Sequence, residues 1–382
     1  MTGSKRGLSR CVQGAAVLAV ASLMSACSLF SSSTAQKPAP LETLPAGGSA
    51  KVLWQARIDS VQFPLSIAAR GNQFIVAGTD GAVSSLSADT GAVQWRAEVG
   101  QKLTAGVGSD GRFAAVVTRA NELVVLDGGK VQWRKTLQVP VSTAPLVAGE
   151  RVFVLTLDRA VLAYDVLDGR KLWEMRRPGD ALTLAQASVL GAYKDTLIVG
   201  QGPRLAGVDP LRGTVRWEAS VATPRGTNEV ERLADLVGPL VRADNLLCAR
   251  AFQSAVGCVN AERGVQQWMR NTGGVRGVGG DKEQIIGADG SDRMTAWKTS
   301  NGDVLWTADQ FQHRKLSPPV VVGKQVLVGD LDGQVHLLSR ETGKTQQRIA
   351  TDGSAIVAAP VVLGNTALVA TKNGGLFALR VD

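Results

Sequence analysis

Apolar residues in this chain fall in short runs separated by polar turns, as in 144–148, 152–155 and 160–164. Runs of that length, rich in Val, Leu and Ala and bounded by Gly, Asp or Asn, predict β-strands. No window places apolar residues at helical spacing. Asp80-Gly81, Asp332-Gly333 and Asn373-Gly374 sit between such runs, where two-residue hairpins with positive φ are expected.

A longer period overlies the strands. A Gly is followed four positions later by Trp at Gly91 and Trp95, Gly129 and Trp133, Gly169 and Trp173, Gly213 and Trp217, Gly264 and Trp268, and Gly302 and Trp306. Gly343 keeps the pattern with Gln347 in place of the indole, and Trp54 stands one period before the first pair. Successive spacings are 38 to 44 residues, with one of 51 between Trp217 and Trp268. A period near forty belongs to propeller blades and to helical repeats alike, and the strand-length runs decide for blades. Each unit then reads as a meander of four strands, A to D, with Gly at the C-to-D turn and Trp on strand D. An indole repeated so evenly is expected to pack between neighbouring blades, where its burial is worth about 2 to 3 kcal/mol.

The two ends of the chain complement each other. After Gln347 three runs remain, 356–363, 366–371 and 376–381, and one extra strand, 51–58, precedes the first full unit. One early strand and three late ones complete a blade and leave no open sheet edge around the ring. The expected fold is all-β, an eight-bladed β-propeller of four-stranded antiparallel blades over residues 50–382.

Residues 1–26 have the layout of a signal peptide: Lys5, Arg6 and Arg10, an apolar run over 15–24, then small residues. That run is too short to span a bilayer, which takes about 20 residues. Met24-Ser25-Ala26-Cys27 resembles the lipobox of bacterial lipoproteins, with Leu23 one place earlier than usual. The resemblance implies that Cys27 becomes the lipidated first residue and that Ser28 after it directs sorting to the outer membrane, on its periplasmic face. Residues 27–49, rich in Ser, Pro, Ala and Gly, are expected to be a flexible tether reaching about 70 Å when extended.

Losing Lys5, Arg6 and Arg10 lowers the formal charge from +9 to +6, and the remaining basic residues are scattered. That pattern predicts a solvated surface and no nucleic-acid groove. Cys248 and Cys258 flank a hairpin expected at 245–261. A three-residue loop would set them opposite each other and permit a disulfide, whereas a two-residue loop would turn them to opposite faces. His313 and His336 are the only histidines, and no H-E-x-x-H or C-x-x-C spacing is present, so neither a metal site nor a catalytic residue is expected. Gly106-Val107-Gly108-Ser109-Asp110-Gly111 matches G-x-G-x-x-G, but a strand follows it where a nucleotide site needs a helix, so it reads as a propeller turn. The Gly/Trp repeat also resembles that of quinoprotein dehydrogenases, propellers that hold pyrroloquinoline quinone and calcium. This chain lacks their adjacent-cysteine pair; a periplasmic quinoprotein or other propeller enzyme is the alternative to a non-catalytic, cofactor-free role.

The repeat is broken in two neighbouring places, 176–188 (RRPGDALTLAQAS) and 223–237 (TPRGTNEVERLADLV). Insertions in a repeat fold map to loops on one face, and rigid scaffolds keep function on loops. Exposed Leu182, Leu184 and Leu233 beside Glu231, Arg232 and Asp235 would make an apolar patch with a charged rim, suited to a protein partner.

The lipobox followed by CSLF, the eightfold pattern, the stretch Glu229-Val230-Glu231-Arg232-Leu233-Ala234-Asp235, and His313-Arg314 before Ser317-Pro318 together resemble the BamB-type propeller lipoproteins of the outer-membrane β-barrel assembly (Bam) machinery. That resemblance implies a non-catalytic scaffold, without cofactor, that assists folding and insertion of outer-membrane β-barrel proteins. It implies docking on the periplasmic POTRA domains of the barrel-forming subunit through Leu182, Leu184, Glu231, Arg232, Leu233 and Asp235, with unfolded outer-membrane proteins as a further partner. The chain departs from the family at Ala185, where an Arg is usual, and at Val237, where a second Asp is usual. Arg176 and Arg177 are the candidates to supply the displaced charge.

Overall fold

A strand whose side chains are apolar on both faces must lie between two other sheets, and a ring of blades supplies both neighbours to every blade. The computed structural model describes residues 36–45, 47–177, 182–224 and 227–381, and in it thirty-two strands form eight four-stranded antiparallel sheets. Blades 1 to 7 span residues 68–98, 103–136, 146–175, 190–220, 236–270, 279–308 and 320–350. Blade 8 takes its strands A to C from Val361–Leu363, Thr366–Ala370 and Gly375–Val381, and its strand D from Ala50–Arg57. The first strand of the chain thus closes the last blade, as the ends of the sequence predict. Strand A of each blade touches strand A of the next, and blade 8 returns to blade 1.

Burial follows position within the blade. In blade 2 the second strand, Phe113–Thr118, is buried at every residue, whereas the outer strand, Lys130–Thr136, is exposed except at half-buried Trp133. That is why the inner strands read as unbroken apolar runs and the outer ones as polar segments with a single indole.

The Gly and Trp of the repeat meet across blades rather than within one. Trp54 lies against Gly91 of blade 1, Trp95 against Gly129, Trp133 against Gly169, Trp173 against Gly213, Trp217 against Gly264, Trp268 against Gly302 and Trp306 against Gly343. Each of these glycines has φ between 63° and 85°, and a Cβ on any of them would come within 3.0 Å of the ring or its Cβ. Only glycine meets both demands. Five indoles also donate to a carbonyl of the next blade, for example Trp268 Nε1 to Thr299 at 2.7 Å and Trp306 Nε1 to Arg340 at 2.8 Å. In every blade the C-to-D pairing slips by one residue just before the Trp position, as between Val125 and Leu126 opposite Trp133. The bulge turns the indole out of the pleat toward its neighbour.

At the closing seam the pattern changes for a physical reason. The outer strand of blade 8 is entered from the amino-terminal segment and not from a C-to-D turn, and it is Gly48 of that segment that lies against position 347. Gln347 stands there in place of an indole, donating Nε2 to the Ala50 carbonyl at 2.7 Å and accepting the Ala50 N–H at 2.9 Å.

Two expectations about turns are resolved. The Asp-Gly turns are not two-residue hairpins: Gly78 pairs with Ala82 across three residues, Gly81 N–H bonds back to the Gly78 carbonyl, and Asp80 accepts the Ala82 N–H at 3.1 Å. A type I turn followed by a positive-φ glycine matches strand twist as well as the two-residue turn does, and the Asp side chain caps it. In blade 5 Ala251 pairs with Ala255, which leaves the three-residue loop Phe252-Gln253-Ser254. Cys248 and Cys258 are direct partners in that register and are joined by a disulfide.

Candidate protein-binding surface

Both insertions are D-to-A linkers, the first between blades 3 and 4 and the second between blades 4 and 5. They emerge on the face that also carries the B-to-C turns. A linker that crosses between blades has backbone groups with no sheet partner, and these must be satisfied some other way.

Asp235 does this. It ends the second linker, directly before strand A of blade 5 (Leu236–Ala243), and is only 8% exposed. Its Oδ2 accepts the Leu184 N–H at 2.8 Å, and its Oδ1 accepts Arg159 Nη2 at 2.9 Å. The same Arg159 nitrogen donates to the Leu182 carbonyl at 3.1 Å. One carboxylate therefore fastens the first linker to the second through a turn of blade 3. The expectation of Asp235 as an exposed rim charge is corrected: the side chain is consumed in closing the backbone of its neighbour. The cleft between the linkers is lined by Ser142, Thr143, Thr156, Leu184, Ser188 and Asp235. Its far wall is pinned by Ser142 Oγ donating to the Gln186 carbonyl at 2.8 Å and by Ser188 N–H donating to Thr143 Oγ1 at 3.0 Å.

Arg159 was absent from the sequence expectations, yet it left a signal. It has φ 64° at the turn position held by Gly81, Gly333 and Gly374 in three blades and by Asn121 and Asp292, residue types that tolerate this conformation, in two others. An arginine held there is strained and persists where its side chain has a task.

The tip of the second linker is a hydrogen-bonded turn. Asn228 Oδ1 accepts the Glu231 N–H at 2.9 Å, while Glu231 accepts from Asn228 Nδ2 at 3.0 Å and from the N–H and hydroxyl of Thr227 at 2.8 and 3.1 Å. The Asn228 side chain holds the Glu231 backbone and the Glu231 side chain holds Asn228 and Thr227 in return, so the turn is closed from both sides. The Thr227 backbone bond, followed by its hydroxyl, holds the Glu231 carboxyl below the ordinary glutamate range.

The exposed part of the surface differs from expectation. Leu182 is exposed, whereas Leu184 and Leu233 are half-buried. Val230, not singled out from the sequence, is 71% exposed at the tip of the turn. Glu231 and Arg232 are exposed beside it, and Arg232 has no side-chain bond among the described residues. Arg176 and Arg177 are already engaged: Arg176 pairs with Asp158 and Glu174, and Arg177 grips Glu218 at 2.7 and 3.2 Å. Arg176 stays 56% exposed in these pairs, whereas Val237 is buried. Among the described residues the outward-facing set is thus Leu182, Glu229, Val230, Glu231 and Arg232, two apolar side chains with two acids and one base.

Elsewhere, His336 is buried against Asp330, and among the described residues no three His, Cys, Asp or Glu side chains are grouped to hold a metal. Cys27 lies outside the described residues.

A family profile described as outer membrane protein assembly factor BamB matches residues 79–308 and 301–382. A protein of that name from Bordetella pertussis is 33% identical over the full length of both chains. Another, from Burkholderia pseudomallei, is 33% identical over 90% of this chain and 91% of its own. Among solved structures, BamB from Moraxella catarrhalis superposes with a TM-score of 0.79 at 23% identity, covering 87% of this chain and 99% of that one. A quinohemoprotein alcohol dehydrogenase from Comamonas testosteroni gives 0.65 at 13% identity, covering 87% and 76%, and shares the fold alone.

Proposed function

The chain belongs to the family of the outer membrane protein assembly factor BamB, and on that premise we propose that it is a non-catalytic scaffold of outer-membrane protein assembly. Its two long linkers dock a periplasmic POTRA domain of the barrel-forming subunit, and through that contact it assists folding and insertion of β-barrel precursors. Cys27 carries the lipid that holds it at the periplasmic face of the outer membrane.

The observation that supports this reading is the tie made by Asp235. The carboxylate locks two insertions into one surface, so Leu182, Val230 and Arg232 are presented in a fixed arrangement with little ordering left to be lost on binding. Leu182, Val230, Glu231 and Arg232 are the contacts, while Leu184, Leu233 and Asp235 hold them in place.

Copurification of the barrel-forming subunit tests the docking. A Leu182→Glu, Arg232→Glu double variant alters only exposed side chains, so it is expected to fold normally and to recover less than a tenth of the subunit that the unaltered protein recovers. Full recovery would refute the assignment of the surface. Palmitate incorporation tests the anchor and is expected to vanish in Cys27→Ala.

A further inference from the structure

Part of the segment expected to be a free tether is bound. Ala39 N–H donates to the Gln312 carbonyl at 2.8 Å, and the Ala39 carbonyl accepts Arg314 Nη1 at 2.9 Å. Further along, Arg348 Nη1 reaches the Glu42 carbonyl at 3.1 Å, and Gln347 holds both backbone groups of Ala50. The segment starts on the linker-bearing face at the junction of blades 6 and 7 and runs along strand D of blade 7 (Thr345–Ala350) to the start of blade 8.

The receptor for Ala39 is built. Arg314 is 4% exposed and lies in the blade 6–7 linker, between His313 and Lys315, which take φ of 59° and 54°. Its Nε donates to Asp330 at 2.7 Å and one Nη to Asp332 at 2.6 Å, leaving the other Nη aimed at Ala39. Fully buried Asp330 is itself fixed by His336 at 3.0 Å and by the Gln334 N–H at 2.9 Å. On the strap side, Pro38 and Pro40 have no amide hydrogen, so Ala39 is the only donor of the three, and the flanking prolines hold it extended.

We propose that residues 39–49 are a strap that moves the membrane leash from the start of blade 8 to the linker-bearing face at the junction of blades 6 and 7. This rests on the lipid attachment at Cys27 proposed above. The chain between Cys27 and the strap is then 28–38, which can span at most about 35 Å, in place of about 70 Å for 28–49. The lipid bilayer is held close to that rim, and the surface at the junctions of blades 3, 4 and 5, farther around the ring, is left open to its partner.

Nitroxide motion and energy transfer test this in the full-length lipidated protein on phosphatidylethanolamine–phosphatidylglycerol vesicles. A nitroxide at Glu42→Cys is expected to move slowly, and an added Ala39→Pro, Arg348→Ala pair, which removes two strap contacts and the Arg348 bond to His336, frees it to the motion that the same label shows in the urea-unfolded protein. Transfer from a headgroup dye is expected to be greater to a label at Lys315→Cys than to one at Ala120→Cys, and the pair of substitutions removes at least half of that difference. Motion at position 42 of the unaltered strap equal to that in the unfolded protein overturns the proposal, and so does equal transfer to the two labels. A protein that fails to join the vesicles while its label at 42 stays slow refutes the Cys27 anchor and leaves the strap supported.

Discussion

The eightfold pattern is broken in two regions, and they are repaired in opposite ways. At the seam between blades 7 and 8 an indole is missing, and Gln347 closes the gap with two backbone hydrogen bonds to Ala50. At blades 3 to 5 extra residues are present, and the chain leaves them on the surface, tied by the single carboxylate of Asp235. The first repair restores the ring and exposes little. The second builds on the ring and keeps Leu182, Val230 and Arg232 facing solvent. In both places a side chain satisfies backbone groups of another segment; Gln347 joins two strands of the ring, whereas Asp235 joins two linkers that lie outside the sheets.

The largest expected effect contrasts the lattice with the seam. Trp306→Ala removes a buried ring and should cost about 3 to 5 kcal/mol. Gln347→Ala removes two hydrogen bonds and should cost about 1 to 2 kcal/mol. Denaturation midpoints with a shared slope measure both, and equal losses would erase the distinction.

Next comes the glycine that each indole covers. Gly264→Ala combines φ 63° with a Cβ that collides with Trp217, and should cost about 3 kcal/mol. Gly100→Ala has φ 77° but open space around it, and should cost about 1 kcal/mol. The same melts separate strain from collision.

At the insertions the loss should be local. Asp235→Asn is expected to weaken the tie by about 2 kcal/mol, which speeds amide exchange over the linkers about thirtyfold and moves the global midpoint little. Exchange that quickens across all blades would place Asp235 in the ring rather than under a surface.

The smallest effect concerns pH. The Glu231 carboxyl is depressed in the folded turn, so its contribution is present above the ordinary glutamate value and is lost as pH falls through the folded one. The Thr227 amide resonance should follow that titration, with its midpoint below that of a free glutamate; an unshifted midpoint would mean the turn does not hold the carboxylate.

Much of the architecture could be read from the chain because a forty-residue period places the same chemistry at the same position in each blade. The indoles, the glycines and the complementary ends are local signals repeated until chance is excluded. The slip before each Trp was not legible, since a bulge is a relation between two strands. Nor was the burial of Asp235, whose partners Leu184 and Arg159 are 51 and 76 residues away in sequence. The clamp on Ala39 was hidden for the same reason: His313-Arg314 stood out as a motif, but its partner lies 275 residues earlier. Composition marked 27–49 as coreless, which is true of what it can bury and silent on what can hold it.

The claim on which the functional account rests is that the two tied linkers are the docking surface. Hydrogen exchange of the protein with and without the purified POTRA region of the barrel-forming subunit tests it most directly. Slowed exchange confined to 182–188 and 227–234, and absent in the Leu182→Glu, Arg232→Glu variant, is the predicted result. Protection on another blade, or none at a concentration where the two proteins form a complex, would contradict it.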